Sequence, residues 1–159
     1  MVSGLITMDI RLSWSLYGDM LIELCHKIKE SGVKYDSIVG IMRGGYVVGL
    51  YLSNHLKIPL LGIQVQNHKY NEPERGVKKS ELTVEEFYGI GEFGKKVLLV
   101  DEIVDSGETM TAVTLILHDL DKKVDTASII CGPIIKPTYY VDSIPDGYWV
   151  VFPYEPERV

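Results

Sequence analysis

The sequence predicts an α/β domain with a central, mainly parallel sheet and helices on both faces. Three observations carry this expectation. Short apolar runs suited to buried strands recur at 36–42, 59–65 and 96–100. Segments with apolar residues at helical spacing lie around them, and strands alternating with helices imply a parallel sheet. Three loops leave strand ends: Arg43-Gly44-Gly45, residues 101–109, and Lys136-Pro137. Ligands of such sheets bind beyond the carboxyl ends of the strands, so these loops are expected to converge.

The elements follow in order. About a dozen residues form a short apolar lead-in. From 14 to 28, Trp14, Tyr17, Leu21, Leu24 and Ile28 mark one helical face, and Gly32 is a stop signal. Residues 36–42 read as a buried strand, broken by Arg43-Gly44-Gly45; a second helix covers about 46–55 and a second strand 59–65. Residues 67–95 are polar, with few large apolar residues before Phe87-Tyr88, and are expected to form a lid. Residues 96–100 form a strand running into Asp101-Glu102. From Gly107 a helix presents Met110, Val113, Leu117 and Leu120 on one face. Residues 127–135 read as a further strand, with Pro133 pointing to an edge or a bulge. The aromatic tail 147–154 ends in coil.

Composition bounds the function. The chain's 159 residues suit one domain, 1–159. A net charge of -6 opposes general nucleic-acid binding, so no nucleic-acid partner is expected. It also requires any phosphate site to be built locally, from backbone N–H groups and magnesium. No apolar run approaches a membrane span and no signal-peptide pattern is visible, so no membrane partner is expected and the cytoplasm is the expected location. Cys25 and Cys131 sit in apolar stretches and read as buried thiols. His26, His55, His68 and His118 show no metal-ligand spacing. No G-x-x-x-x-G-K-[ST] is present, which excludes a P-loop nucleotide hydrolase.

The most informative segment runs from Val97 to Met110. Four apolar residues end in Asp101-Glu102, two apolar residues follow, and Asp105-Ser106-Gly107-Glu108-Thr109 opens a helix. The second half is a phosphate cradle in physical terms. Helix N-terminal N–H groups attract anions, Gly107 permits close backbone approach, and Ser106 and Thr109 add hydroxyl donors. Carboxylates repel phosphate, so Asp101 and Glu102 serve another part of the ligand. A ribose 2′,3′-diol offers two donors to such acceptors. Helix caps and solvated strand ends explain either half alone; the combined order is far more specific.

These residues, Leu99 to Thr109, resemble the signature of type I phosphoribosyltransferases, whose Rossmann-like core binds phosphoribosyl pyrophosphate (PRPP). The resemblance implies that Asp101 and Glu102 hold the ribose hydroxyls and residues 105–109 the 5′-phosphate. In the purine branch the acid matching Asp105 is the proposed general base, beside N7 of the base. Ser106 stands where Thr is commoner, which keeps the hydroxyl. Met42-Arg43-Gly44-Gly45 resembles the family's pyrophosphate loop, implying a non-proline cis peptide near Arg43.

Lys136 matches the lysine that donates to O6 of oxopurines; an ammonium is donor-only and favours a carbonyl over adenine's amino group. Trp149 resembles the aromatic that stacks on the purine, with backbone around Val150 reading the base edge. The resemblance implies a small hood from about 1–12 and 136–159. It also implies a flexible loop at about 67–95, where Lys69, Arg75, Lys78 and Lys79 are candidates to cover pyrophosphate. Mg2+ is the implied cofactor, with Asp101 and Glu102 reaching it mostly through ligand and water. PRPP and a guanine, xanthine or hypoxanthine base are the implied substrates, and a homodimer or homotetramer the implied assembly. Two alternatives stay open: transfer to adenine or a pyrimidine, and a regulator that senses PRPP or nucleotides on the same fold.

Overall fold

A computed structural model describes residues 8–70, 79–88 and 93–156, with side chains described for 8–65 and 93–156. The elements are β1 (Met8–Arg11), α1 (Trp14–Glu30), β2 (Ser37–Met42), α2 (Gly44–Leu56), β3 (Leu60–Tyr70), β4 (Lys79–Tyr88), β5 (Lys96–Val104), α3 (Glu108–Asp119), β6 (Lys123–Cys131), β7 (Tyr139–Ser143) and β8 (Tyr148–Val151). The main sheet has the order β4-β3-β2-β5-β6-β7. Its neighbours run parallel except for the antiparallel β3–β4 pair. β1 and β8 form a separate parallel pair.

The central strands are buried on both faces, and alternate side chains feed two layers. Ile38, Leu98 and Val100 pack with Tyr17, Leu24 and Ile28 of α1 and Val48 and Leu52 of α2. Val39, Val97 and Leu99 pack with Met110, Val113 and Leu117 of α3 on the other face. α1 forms where the 3.6-residue repeat predicts it, and its N-terminus is capped by Ser13, whose Oγ accepts from the Leu16 N–H at 3.1 Å. Trp14 opens the helix but is 63% exposed, outside the buried face.

Several boundaries differ from the sequence reading. The strand expected at 127–135 is β6, Lys123–Cys131, and it lies between β5 and β7 rather than at an edge. Pro133 stands just past its end, where a missing N–H costs no ladder bond. The segment 67–95, expected as a flexible loop, continues β3 to Tyr70 and then forms β4, so much of it is an antiparallel ribbon. Leu120 lies beyond α3 as its C-cap and is 51% exposed, so it does not share the buried face. β7 was not foreseen.

At the amino end of the sheet, Asp125 gathers a polar network. Its Oδ2 accepts from the Tyr35 hydroxyl at 2.7 Å and pairs with Lys96 Nζ at 2.8 Å. Lys96 also lies 5.7 Å above the Tyr35 ring. Burial alone would raise the Asp125 pKa; the Lys96 and Tyr35 contacts outweigh it and hold the carboxyl below its ordinary value. A depressed pKa contributes stability above the unfolded value of about 3.9, lost as pH falls through the folded value. Asp125→Asn is therefore expected to cost about 1 kcal/mol at pH 7, after discounting for partial exposure. Thermal melts should show a drop of a few degrees that shrinks below pH 4.

Candidate active site

The site begins in the central strand. β5 does not stop at Val100: Asp101, Ile103 and Val104 stay in register with Ser128, Ile130 and Cys131 of β6. The acid pair is therefore held on the sheet, and Asp101 and Glu102 are both half-buried. Burial, then the hydrogen bond and charge of Glu102, push the Asp101 carboxyl well above its ordinary pKa; the Glu102 N–H, donating to Asp101 Oδ1 at 2.9 Å, opposes this.

The cradle follows. Asp105 and Ser106 are exposed, and Gly107 is buried at the N-cap of α3 with φ +82, a left-handed conformation that suits glycine. Gly107 has no side chain with which to cap α3, and the Ser106 Oγ accepts from the Glu108 N–H at a long 3.4 Å. The first-turn N–H groups of a helix lack intrahelical acceptors, so Glu108, Thr109 and Met110 offer donors to an anion. The Glu108 side chain is exposed.

The second loop meets the first. The Met42–Arg43 peptide is cis, where the resemblance implied one. Arg43 is exposed, whereas Gly44 and Gly45 are buried at the start of α2. The Glu102 carboxylate lies against Gly44, and a Cβ on Gly45 would stand 2.5 Å from the Val100 carbonyl oxygen and 2.8 Å from Asp101 Cα. Only glycine admits this approach of the loop to β5.

A cavity of about 220 Å³ lies over the end of β5 and the start of α3, lined by Asp101, residues 103–110 and Trp149. Trp149 reaches it from β8, opposite Asp9 in the β1–β8 register. Val150, next along, is buried opposite Ile10. Lys136 is exposed and does not line this cavity; its Nζ lies 5.4 Å over the Tyr140 ring. Its neighbour Ile135 packs onto Gly107, which ties the 132–136 turn to the cradle. Lys69 falls in β3 and Lys79 in β4, but their side chains, and Arg75 and Lys78 altogether, lie outside the described residues.

Sequence reasoning missed two tyrosines whose hydroxyls feel the charge of Glu102. Tyr17 is hidden in the apolar repeat of α1, and Tyr154 follows β8 in the tail. Nothing in the helical spacing separates a core tyrosine from one that feels a carboxylate's charge; the Pro153-Tyr154-Glu155 sequence was the available signal for the other. Among the described residues no group of three or more His, Cys, Asp or Glu is placed to hold a metal ion.

Comparison with known proteins agrees with this geometry. Residues 13–152 match the phosphoribosyl transferase domain family. A xanthine-guanine phosphoribosyltransferase of Chromohalobacter salexigens is 26% identical over 144 residues, covering 91% of this chain and 82% of that protein. The crystal structure of a purine phosphoribosyltransferase from Pyrococcus horikoshii is similar with a TM-score of 0.76 at 32% identity, covering 95% of this chain and 96% of that one. A Helicobacter pylori xanthine-guanine-hypoxanthine phosphoribosyltransferase gives a TM-score of 0.74 at 27% identity, covering 91% and 92%. The acid pair on the central strand, the helix that follows it from Gly107 and these matches lead to one conclusion: the chain belongs to the phosphoribosyl transferase family, as a type I enzyme of the purine branch.

Proposed function

We propose that this enzyme transfers the 5-phosphoribosyl group of PRPP to an oxopurine (guanine, xanthine or hypoxanthine), giving a nucleoside 5′-monophosphate and pyrophosphate with Mg2+ present. The observation that carries the reading is the meeting of three chain segments: Gly44-Gly45 against Asp101-Glu102, with Trp149 closing the cavity that opens on α3.

The roles are those that the family resemblance implies and the chemistry of each group suits. Asp101 and Glu102 accept from the ribose hydroxyls, and the N–H and hydroxyl donors of 105–109 hold the 5′-phosphate. Arg43, Gly44 and Gly45 face the leaving pyrophosphate. Trp149 stacks on the base, backbone near Val150 reads its edge, and Lys136 leaves the Tyr140 ring to donate to O6. The bond from the anomeric carbon to pyrophosphate breaks, a bond to a ring nitrogen forms, and Asp105 takes the proton that the base gives up. Positioning and charge stabilisation supply most of the acceleration. Lys69, Arg75 and Lys78 remain candidates to cover pyrophosphate.

Two adjacent carboxyl groups at the end of β5 offer the oxygen donors that suit a hard cation that keeps its waters, so Asp101 and Glu102 fit Mg2+ reached mostly through ligand and water. When bound, Mg2+ supplies neutralising charge for the leaving group. No helix among the described residues is long and apolar enough to cross a membrane. The reading places the reaction in the cytoplasm, by a homodimer or homotetramer, which sedimentation tests.

The test is pyrophosphate release from PRPP and Mg2+ with a panel of bases. Turnover with hypoxanthine, guanine or xanthine supports the proposal. Turnover only with adenine or uracil overturns the base assignment, and tight PRPP binding without turnover indicates a regulator. Lys136→Ala is expected to raise KM for the base roughly 10- to 100-fold, the loss of a hydrogen bond from a charged donor, with KM for PRPP nearly unchanged. An unaltered base preference would remove Lys136 from the site.

A further inference from the structure

Tyr17 and Tyr154 bring two hydroxyls into the core layer that packs on Leu98 and Val100, the face of β5 to which Glu102 belongs by alternation. Their rings pack edge to face with centroids 5.8 Å apart. Phe152 stacks on Tyr154 at 5.7 Å and meets Tyr17 edge-on at 5.9 Å, so both phenols are locked in a four-ring cluster with Trp14. Both phenolic oxygens are buried, and among the described residues neither has a partner within hydrogen-bond distance and angle; the one hydrogen-bonding group that acts on Tyr17 is the Tyr154 hydroxyl, and a pair of hydroxyls leaves at least one proton without an acceptor. A buried hydroxyl without a partner costs stability, and phenylalanine would fill the same space without that cost. Two such hydroxyls in one cluster call for an acceptor that arrives later.

The carboxylates acting on them are Glu102 for both and, for Tyr154, also Glu155 and Asp101. Burial, then the negative charge of Glu102, raises the Tyr17 pKa to about 12, and the same two causes raise Tyr154 further, with Asp101 contributing. Meanwhile the Glu102 carboxylate lies against Gly44, at the mouth of α2. That is the place where the proposed function puts pyrophosphate, and two anions do not share one helix N-terminus. When pyrophosphate enters, the carboxylate has to leave.

We propose that Tyr17 and Tyr154 are positioning residues for Glu102, a second seat whose hydroxyls donate to its carboxylate when the pyrophosphate loop is filled. The inference rests on the reading of Gly44-Gly45 as that loop. In the ligand-free protein Glu102 rests against Gly44 and the hydroxyls stay unused. In the loaded protein the two donors hold Glu102 toward the ribose and its cation.

The test uses Tyr17→Phe and Tyr154→Phe in the full chain, alone and combined with Glu102→Gln. Each tyrosine variant is expected to melt at or above the wild-type Tm without ligand. Each should raise KM for PRPP roughly tenfold, leave KM for the base unmoved, and weaken calorimetric binding of inorganic pyrophosphate with Mg2+. In the Glu102→Gln background the same substitution should lose most of its effect, because it acts through that carboxylate. A lowered ligand-free Tm, unchanged PRPP and pyrophosphate affinity, or an equal effect in the Glu102→Gln background would each overturn the inference. If the wild type itself binds neither PRPP nor pyrophosphate, the proposed function fails first and the inference with it. Wild-type binding that both phenylalanine variants reproduce removes the tyrosine role alone.

Discussion

Asp101→Asn is expected to lower kcat/KM for PRPP by about two to three orders of magnitude while leaving the ligand-free protein at least as stable as the wild type at neutral pH. The activity loss follows from removing a charged acceptor at the sugar. The stability side follows from the raised pKa of Asp101. A raised folded pKa means stability that is full below the unfolded value, about 3.9, and lost as pH rises through the folded value. Asparagine carries no such loss. Its amide oxygen can still accept from the Glu102 N–H, as Asp101 Oδ1 does at 2.9 Å, and its NH₂ can donate to the Glu102 carboxylate. The Tm advantage of the variant should therefore widen from about pH 4 upward. Melts across that range, beside PRPP kinetics, check both halves; a variant less stable at neutral pH would contradict the electrostatic account.

Gly45→Ala is the second large effect. A Cβ there meets the main chain of β5: the Val100 carbonyl oxygen at 2.5 Å and Asp101 Cα at 2.8 Å. No side chain can swing aside, so β5 or α2 must shift, at about 1 to 3 kcal/mol. That lowers Tm by several degrees and moves the acid pair, so KM for PRPP should rise at least tenfold. Gly18→Ala is the control. It lies inside α1 with nothing within 4 Å of its added Cβ, and it is expected to stabilise by up to about 1 kcal/mol without touching kinetics. A Gly45→Ala enzyme with wild-type Tm and KM would show that the loop and the acids are not in contact.

What could be read beforehand divides by how local its cause is. β2 and β5 were legible because strands buried on both faces are continuous apolar runs. α1 was legible because one repeat explains Tyr17, Leu21, Leu24 and Ile28. The acid pair and the cradle were legible because both halves lie on one stretch of chain. β4 escaped notice because its alternation, Leu82-Thr83-Val84, is short and set among charged residues. The register shift between Gln64 and Val65 breaks the period further. The close approach of Gly45 to Asp101 and the neighbourhood of Tyr154 and Glu102 join residues far apart in the chain, and no periodicity encodes such meetings.

The pairing of β1 with β8 has a kinetic side. It joins residues from nearly opposite ends of the chain, and closing so long a loop costs entropy that a two-stranded ladder offsets poorly. The wall that carries Trp149 should thus dock late on an already ordered sheet and open first under heat or denaturant. The grip on the sugar phosphate, rooted in the central strand, should outlast it. Mild warming would then blur discrimination among bases before it loosens the hold on PRPP.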